Sequence, residues 1–233
     1  MEPVIEHIHE PKSLHVAWQP ENPDDRRRRV IGQLLRTGDS IELKYAVNTE
    51  DFKKAVEYGF QGIPPFPINK DKSYSKNVPE YLEKRLPIAS RSDYSKFLNN
   101  YGLPSDAEIS LFGLLGYTEG QLPADWFSFI HPFDVEGPCE FVTEVAGTRH
   151  YCNTDNLREL VGRDVLFVEE NNEHEPTGTA FRIMIGDSQI GHVNRVHLDR
   201  FRDWSQGRNV SGSLIRVNGT ADRPRAFVFV RVI

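Results

Sequence analysis

Apolar and polar residues alternate in short runs along much of the chain, and this alternation predicts β-strands. In the first half the runs cover residues 14–18, 30–35 and 40–45. Alternate residues of a strand point to opposite faces of a sheet, so each run supplies one buried face. The triplet Thr37-Gly38-Asp39 between the second and third runs is typical of a hairpin turn. The pattern therefore predicts a small sheet near the start of the chain.

Helices are predicted between and after these strands, from capping residues and from apolar spacing. The predicted segments are residues 51–58, 78–85, 93–100 and 106–115. Thr49 is expected to cap the first helix and Gly59 to end it. Residues 126–130 then predict one more strand.

The second half also consists mostly of predicted strands, with one clear helix. In residues 196–204, Leu198, Phe201 and Trp204 recur at helical spacing and predict a buried face. Asn218-Gly219 predicts the turn of a final hairpin. The predicted strands are residues 141–145, 165–168, 180–185, 209–216 and 225–232.

These elements predict an α+β protein with two domains. We expect a lead-in at residues 1–13, a first domain at 14–130, a linker at 131–139 and a second domain at 140–233, because residues 131–138 contain two prolines and a glycine. The first domain is expected to be a small β-barrel-like part with short helices. The second is expected to be a small antiparallel β-barrel of the OB-like kind, with one or two helices.

Charge is distributed unevenly along the chain. Residues 182–233 contain nine arginines, no lysine and four aspartates, which gives a net charge of +5. Since the whole chain has a net charge of −6, residues 1–181 have a net charge of −11. This asymmetry indicates either two parts with different partners or two differently solvated surfaces. The run Arg26–Arg29 could bind phosphate, but it follows Glu21, Asp24 and Asp25, which favours a solvated hairpin tip.

Several classes of protein are not expected from this sequence. No apolar run is long enough to cross a bilayer, and the N-terminus has no signal-peptide pattern. Cys139 and Cys152 are too few for a disulfide framework and have no metal-ligand spacing. No P-loop, G-x-S-x-G or H-E-x-x-H motif occurs. We therefore expect a cytoplasmic protein that is not an enzyme and that needs no cofactor or metal.

Four stretches of the second half share the order and spacing of a known module. They are V-A-G-T-R-H-Y at 145–151, V-L-F-V at 165–168, A-F-R-I-M-I at 180–185 and Q-I-G-H-V-N-R at 189–195. Residues 140–233 thus resemble the HIRAN domain, which is common in bacterial proteins. The resemblance implies binding of single-stranded DNA, notably a free 3′ end. The nucleic-acid-binding residues that it implies are Arg149, His150, Tyr151, Thr177, Gly191, His192, Asn194 and Arg195.

The chemistry of these residue types agrees with such a site. A guanidinium donates two hydrogen bonds to phosphate oxygens, and an imidazole or phenol ring can stack on a base. Two alternatives remain open at this point. Arg149 could instead form a surface ion pair with Glu144 or Glu170. His192 could be a structural histidine bonded to a backbone carbonyl.

The loop at residues 174–181 departs from the HIRAN pattern. Thr177 and Thr179 replace the Asp and Asn that shape the family's pocket. Four carboxylates lie nearby and would repel phosphate if they faced the site. They could also hold a divalent metal with His174, although no paired ligand spacing supports this. The four are Glu169, Glu170, Glu173 and Glu175.

Residues 12–130 resemble the small N-terminal subdomain of HipA-type proteins. The resemblance lies in L-H-V-A-W at 14–18, V-I-G-Q-L at 30–34, I-E-L-K-Y at 41–45 and L-L-G-Y-T-E-G-Q-L at 114–122. The kinase domain of that family is absent from this sequence, so its activity is not implied. The first half is expected to bind a protein partner.

Two functions follow as expectations. The first is a non-enzymatic DNA-binding accessory protein, with Arg200, Arg202, Arg208, Arg216, Arg223 and Arg225 as further contacts to the backbone of the DNA. The alternative is a protein-interaction, antitoxin-like module in which the HIRAN-like part is a degenerate scaffold that does not bind DNA.

Overall fold

The computed structural model describes residues 3–21, 25–122, 125–173, 175, 178–221 and 223–233. The chain divides into two compact units. The N-terminal unit consists of His9–Tyr94 and Glu108–Phe133, and the C-terminal unit of Met1–Ile8, Ser95–Ala107 and Asp134–Ile233. No helix of the described residues has the length and apolar character needed to cross a membrane.

The N-terminal unit is built around a four-stranded antiparallel sheet with short helices. Its strands are β1 (Ser13–Trp18), β2 (Arg29–Thr37), β3 (Ser40–Tyr45) and β6 (Phe127–Ile130), in the order β3-β2-β1-β6. A two-stranded ribbon is formed by β4 (Gly62–Ile63) and β5 (Phe66–Pro67). The helices are α1 (Glu50–Glu57), α2 (Val78–Glu83) and α4 (Leu111–Thr118), and α3 (Tyr94–Asn99) lies where the chain passes between the units.

Capping residues set the helix starts. Thr49 accepts a hydrogen bond from the Phe52 amide and begins α1, as the sequence predicted. The fourth helix begins later than the predicted residue 106. Ser110 Oγ accepts from the Gly113 amide, and Glu10 in turn accepts from the Ser110 amide at 2.6 Å. The start of α4 therefore depends on a residue 100 positions earlier in the chain.

The prediction of a solvated tip for the arginine run is wrong for Arg28 and Arg29. Arg29 is 3% exposed and donates to Asp25 Oδ2 at 2.6 Å, and Arg28 donates to Glu119 at 2.6 Å. Hydrogen bonds from Arg27, followed by those from Arg29, hold the pKa of Asp25 well below its usual range. The run therefore forms ion pairs inside its own unit.

The C-terminal unit contains a six-stranded antiparallel sheet in the order β10-β9-β8-β11-β12-β7. Its strands are β7 (Cys139–Glu144), β8 (Asp164–Asn171), β9 (Thr179–Ile185), β10 (Ser188–His192), β11 (Val210–Thr220) and β12 (Arg223–Val232). The helices are α5 (Thr154–Arg158) and α6 (Leu198–Ser205). As predicted, α6 buries Leu198, Phe201 and Trp204.

The α+β class is confirmed, but within the described residues neither sheet closes into a barrel. The two ends of the six-stranded sheet are linked by one bridge, between Ala146 and His192. The turn predicted at Asn218-Gly219 is wrong, because both residues are paired with β12 and β11 continues to Thr220. Pairing with a long partner strand outweighs the local turn preference of the Asn-Gly pair.

The units also differ from the linear division that composition predicts. Ile5, in the predicted lead-in, is 1% exposed, and its amide donates to the Gly102 carbonyl at 2.7 Å. Gly102 has φ +70° and lies against Phe229 of β12. The segments Met1–Ile8 and Ser95–Ala107 therefore belong to the same unit as the last hundred residues. The other division, between Phe133 and Asp134, falls within residues 131–139.

Candidate functional site

The G-x-R-x-Y stretch forms a 3-10 helix, Thr148–His150, shortly after the end of β7. Gly147 has φ +74°, a conformation that favours glycine, and it turns the chain away from β7. The buried Thr148 anchors the turn by donating from Oγ1 to the Val145 carbonyl at 3.2 Å. Arg149 and His150 are consequently exposed.

These exposed residues line an open cleft of about 830 Å³. The lining includes Arg149, His150 and Tyr151, then Asn153 and Asn156 at the start of α5, and Gln189 on β10. The structure therefore brings together three of the predicted site residues and adds three amide side chains.

Arg149 has no carboxylate partner among the described residues. Its Nε donates to His150 Nε2 at 3.1 Å. The two carboxylates proposed as alternative partners are engaged elsewhere, because Glu144 binds Arg225 and Glu170 binds His192. Among the described residues, the two NH2 groups of the Arg149 guanidinium thus remain for a ligand, while its Nε is bonded to His150.

His192 lies next to the cleft and is held by a carboxylate. Its Nε2 is 2.9 Å from Glu170 Oε1, and Glu170 Oε2 is 3.2 Å from Arg182 Nε. The ring of Tyr151 packs edge-on against the imidazole, with centroids 5.6 Å apart. His192 therefore supports Tyr151 from behind and does not itself line the cleft.

Gly191 is required by a close approach between two backbone segments. Its φ is +149°, and a Cβ would lie 2.5 Å from the Ala146 carbonyl oxygen. The Ala146 and His192 amides donate to each other's carbonyls at 2.8 and 2.9 Å. Gly191 therefore allows β10 to pair with the segment after β7, and its role here is to fix the cleft walls.

Two further predicted residues are not brought to the cleft. Asn194 is 7% exposed, and its Oδ1 accepts from the Val196 amide at 3.4 Å. Arg195 donates from Nε to Glu175 at 2.8 Å. Thr177, together with His174, lies outside the described residues.

The carboxylate that lines the cleft is Glu159, which the sequence did not indicate. Glu170 and Glu175 are paired as described above, and neither they nor Glu169 and Glu173 line the cleft. Among the described lining residues, an anionic ligand therefore meets one negative side chain. The missed residues Asn153 and Asn156 carried one local signal, since Asn153 is the helix cap that accepts from the Asn156 amide at 2.9 Å.

The thiol of Cys152 also lines the cleft. Burial raises its pKa, and its Sγ lies 3.6 Å from the Gln189 carbonyl oxygen. A thiol of raised pKa is a poor nucleophile at neutral pH.

The uneven charge of the sequence is mostly internal to the C-terminal unit. Residues 134–233 contain twelve arginines and fifteen Asp or Glu residues, a net of −3. Carboxylates before residue 182 pair with arginines from residue 182 onward, as in Glu144–Arg225 and Glu170–Arg182. The asymmetry therefore gives little evidence of two different partners.

Comparison of the chain with protein-family models, curated proteins and solved structures finds no match. The HIRAN and HipA resemblances therefore remain predictions, and the functional argument rests on the chemistry of the cleft.

Proposed function

We propose that the C-terminal unit binds single-stranded DNA, including strands with a free 3′ end, and that it does so without catalysis. The observation that carries this proposal is that Arg149, which has no carboxylate partner among the described residues, lies beside Tyr151 in one open cleft. The linked ends of the six-stranded sheet serve, in this proposal, as the barrel-like scaffold expected of a HIRAN-like domain.

The residues that line the cleft offer different kinds of contact to a nucleic acid. Arg149 is suited to a phosphate, because its planar donors match two phosphate oxygens. Tyr151, which is 44% exposed, offers a ring on which an unpaired base can stack. Asn156 can donate to and accept from base edges. The Asn153 oxygen already accepts from the Asn156 amide, and Gln189 Nε2 is hydrogen-bonded to the Gly191 carbonyl and to His192, which leaves the Asn153 NH2 group to donate and the Gln189 oxygen to accept. Stacking needs a base that is free of its duplex neighbours, so these contacts favour single strands.

The N-terminal unit has, in this proposal, the role of a protein-interaction domain in the cytoplasm. Its described surface includes Trp126, which is 40% exposed and lies 5.9 Å from the Arg26 guanidinium. Tryptophan and arginine are enriched at the energetic centres of protein interfaces. This pair is the first place to introduce substitutions when a partner is sought.

Fluorescence anisotropy at low salt tests the DNA-binding proposal. A 5′-labelled single strand with a 3′ hydroxyl is compared with the same strand ending in a 3′ phosphate and with a blunt duplex. We expect both single strands to bind more tightly than the duplex. A preference for the free hydroxyl would add end recognition, whereas equal and feeble binding to all three would contradict the proposal.

A protein-interaction module that does not bind DNA is the second candidate. It is favoured by the net charge of −3 on residues 134–233 and by Glu159 in the cleft wall, since both oppose a polyanion. Stable co-purification with a partner, together with no retention of single-stranded DNA at low salt, would favour this candidate.

A further inference from the structure

The arginines of residues 134–233 differ in whether their guanidinium groups have partners. Nine of the twelve contact a carboxylate or a backbone carbonyl. Arg149, Arg163 and Arg223 contact neither among the described residues, and all three are exposed. Exposure alone does not explain this, because Arg158 is also exposed yet lies 3.4 Å from Asp155.

These three arginines lie at the cleft or next to residues that line it. Arg149 is in the wall. Arg163 follows the lining residue Leu160 by three positions, and Arg223 follows the lining residue Ala221 by two. Among the described residues of 134–233, the arginines without a carboxylate or carbonyl partner are therefore all in the cleft lining or close to it in the chain.

Backbone contacts place Arg163 and Arg223 near opposite ends of one stretch of β11. The Leu214 amide donates to the Arg163 carbonyl at 2.9 Å, and Arg223 is paired with Thr220. Leu214 and Thr220 are six positions apart on the strand, which corresponds to roughly 20 Å. Thr154 Oγ1 donates to the Thr220 carbonyl at 2.6 Å, so the start of α5 is attached at the Arg223 end.

We infer, on the basis of the proposed function, that the ligand is an internal stretch of single-stranded DNA that passes through the cleft and beyond both of its ends. Phosphates bind Arg163, Arg149 and Arg223 in turn, while Tyr151 stacks a base between them. A site built for a strand terminus alone needs cations at one end of its pocket. Here the Arg163 amide donates to the carbonyl of the lining residue Leu160 at 3.0 Å, whereas Arg223 follows the lining residue Ala221, so arginines adjoin two different parts of the lining.

Competition with a circular strand tests this inference directly. A labelled linear single strand is bound to the wild-type protein, and unlabelled linear and ligated circular forms of the same oligonucleotide are compared as competitors. We expect the two forms to compete equally, because a circle has no ends. A circle that fails where the linear form competes would overturn the inference and leave DNA binding intact. Failure of the labelled linear strand to bind at all would instead contradict the proposed function.

Substitutions identify the contacts. Arg163→Gln and Arg223→Gln are each expected to weaken binding several-fold and to lower the slope of log affinity against log salt by about 0.7, the value for one lost phosphate contact to a single strand. Arg163→Lys and Arg223→Lys should restore most of the slope, since the positive charge returns. Arg202→Gln is the matched control and should leave the slope unchanged. If the slope is unchanged in Arg163→Gln and Arg223→Gln but reduced in Arg149→Gln, the DNA does not extend beyond both ends of the cleft and the inference is overturned.

Discussion

Arg225 and Arg149 lie in the same unit and are both exposed, yet their surroundings differ. Arg225 is 48% exposed and makes two hydrogen bonds to Glu144, at 2.9 and 2.6 Å, across the β7–β12 pair. Arg149, in the 3-10 helix after β7, contacts only the neighbouring His150 among the described residues. The comparison teaches that the net charge of a stretch says little about its ligands. The charge that remains after internal pairing is the informative quantity.

Among the charged residues with internal partners, we expect the largest effect on stability at Glu140. This carboxylate is 1% exposed and accepts from the His7 amide at 3.1 Å, with Arg231 Nε at 3.4 Å. Glu140→Ala should lower the free energy of unfolding by about 2 kcal/mol, because it removes charge-assisted bonds and leaves Arg231 less compensated. Urea unfolding measures the loss. The exposed Glu136→Ala is the control and should change stability by less than about 0.5 kcal/mol. Equal effects would mean that the pairing does not stabilise the unit.

Tyr151→Ala should have the next largest effect, on binding. The loss of one stacking ring is worth roughly 1–3 kcal/mol, so affinity for single-stranded DNA should fall about tenfold or more. Leu166→Ala is a matched control, because Leu166 is 62% exposed and does not line the cleft. Anisotropy titrations of both variants measure the affinity for single-stranded DNA. An equal, small loss of affinity in each would mean that Tyr151 does not contact the DNA.

Glu159→Gln should change binding in the opposite direction. The substitution removes the negative side chain of the cleft wall, a repulsion of about 0.5 kcal/mol at an exposed position, so affinity should rise about twofold. Asp155→Asn is the control, since Asp155 does not line the cleft and pairs with Arg158 at 3.4 Å. Tighter binding in the control variant alone would place the DNA elsewhere.

The smallest effect at neutral pH concerns the buried thiol of Cys139. Burial raises the pKa of Cys139 to about 11. The same thiol ionises near pH 8.5 in the unfolded chain, so the unfolded state loses its proton first as the pH rises. Stability should be unaffected below about pH 8.5 and should fall between there and about pH 11. Cys139→Ala should flatten that fall in urea midpoints measured against pH. Cys152→Ala, which removes a less buried thiol, is the comparison variant. If stability falls as steeply with pH in Cys139→Ala as in the wild type, the fall is not due to the Cys139 thiol.

Much of the local structure could be predicted from the sequence, because it depends on neighbouring residues. The cap of α1 at Thr49 and the buried stripe of α6 follow from spacing alone. The start of α4 depends on Glu10, and the burial of Ile5 depends on Gly102, so neither has a local signal. Local sequence patterns therefore do not predict contacts between distant segments of the chain.

The same distinction applies to the site. Arg149, His150 and Tyr151 are consecutive, so one turn brings them to the cleft together. Gln189 arrives from another strand and carried no signal of its own. Arg195 and His192 matched the expected pattern but are bound to Glu175 and Glu170. A sequence shows which side chains can bind phosphate, and the fold determines which of them are already occupied.

The most direct test of this account measures two properties of two variants. Arg149→Gln and Arg225→Gln each remove one exposed guanidinium, and both are assayed for single-strand affinity and for urea stability. We predict that Arg149→Gln loses about tenfold in affinity with unchanged stability, because a charge-assisted bond to phosphate is worth about 1.5 kcal/mol. Arg225→Gln should lose about 0.5–1 kcal/mol of stability and keep its affinity, because its ion pair with Glu144 is at the surface. Unchanged affinity in Arg149→Gln would contradict the central claim that the unpaired arginine marks the binding site.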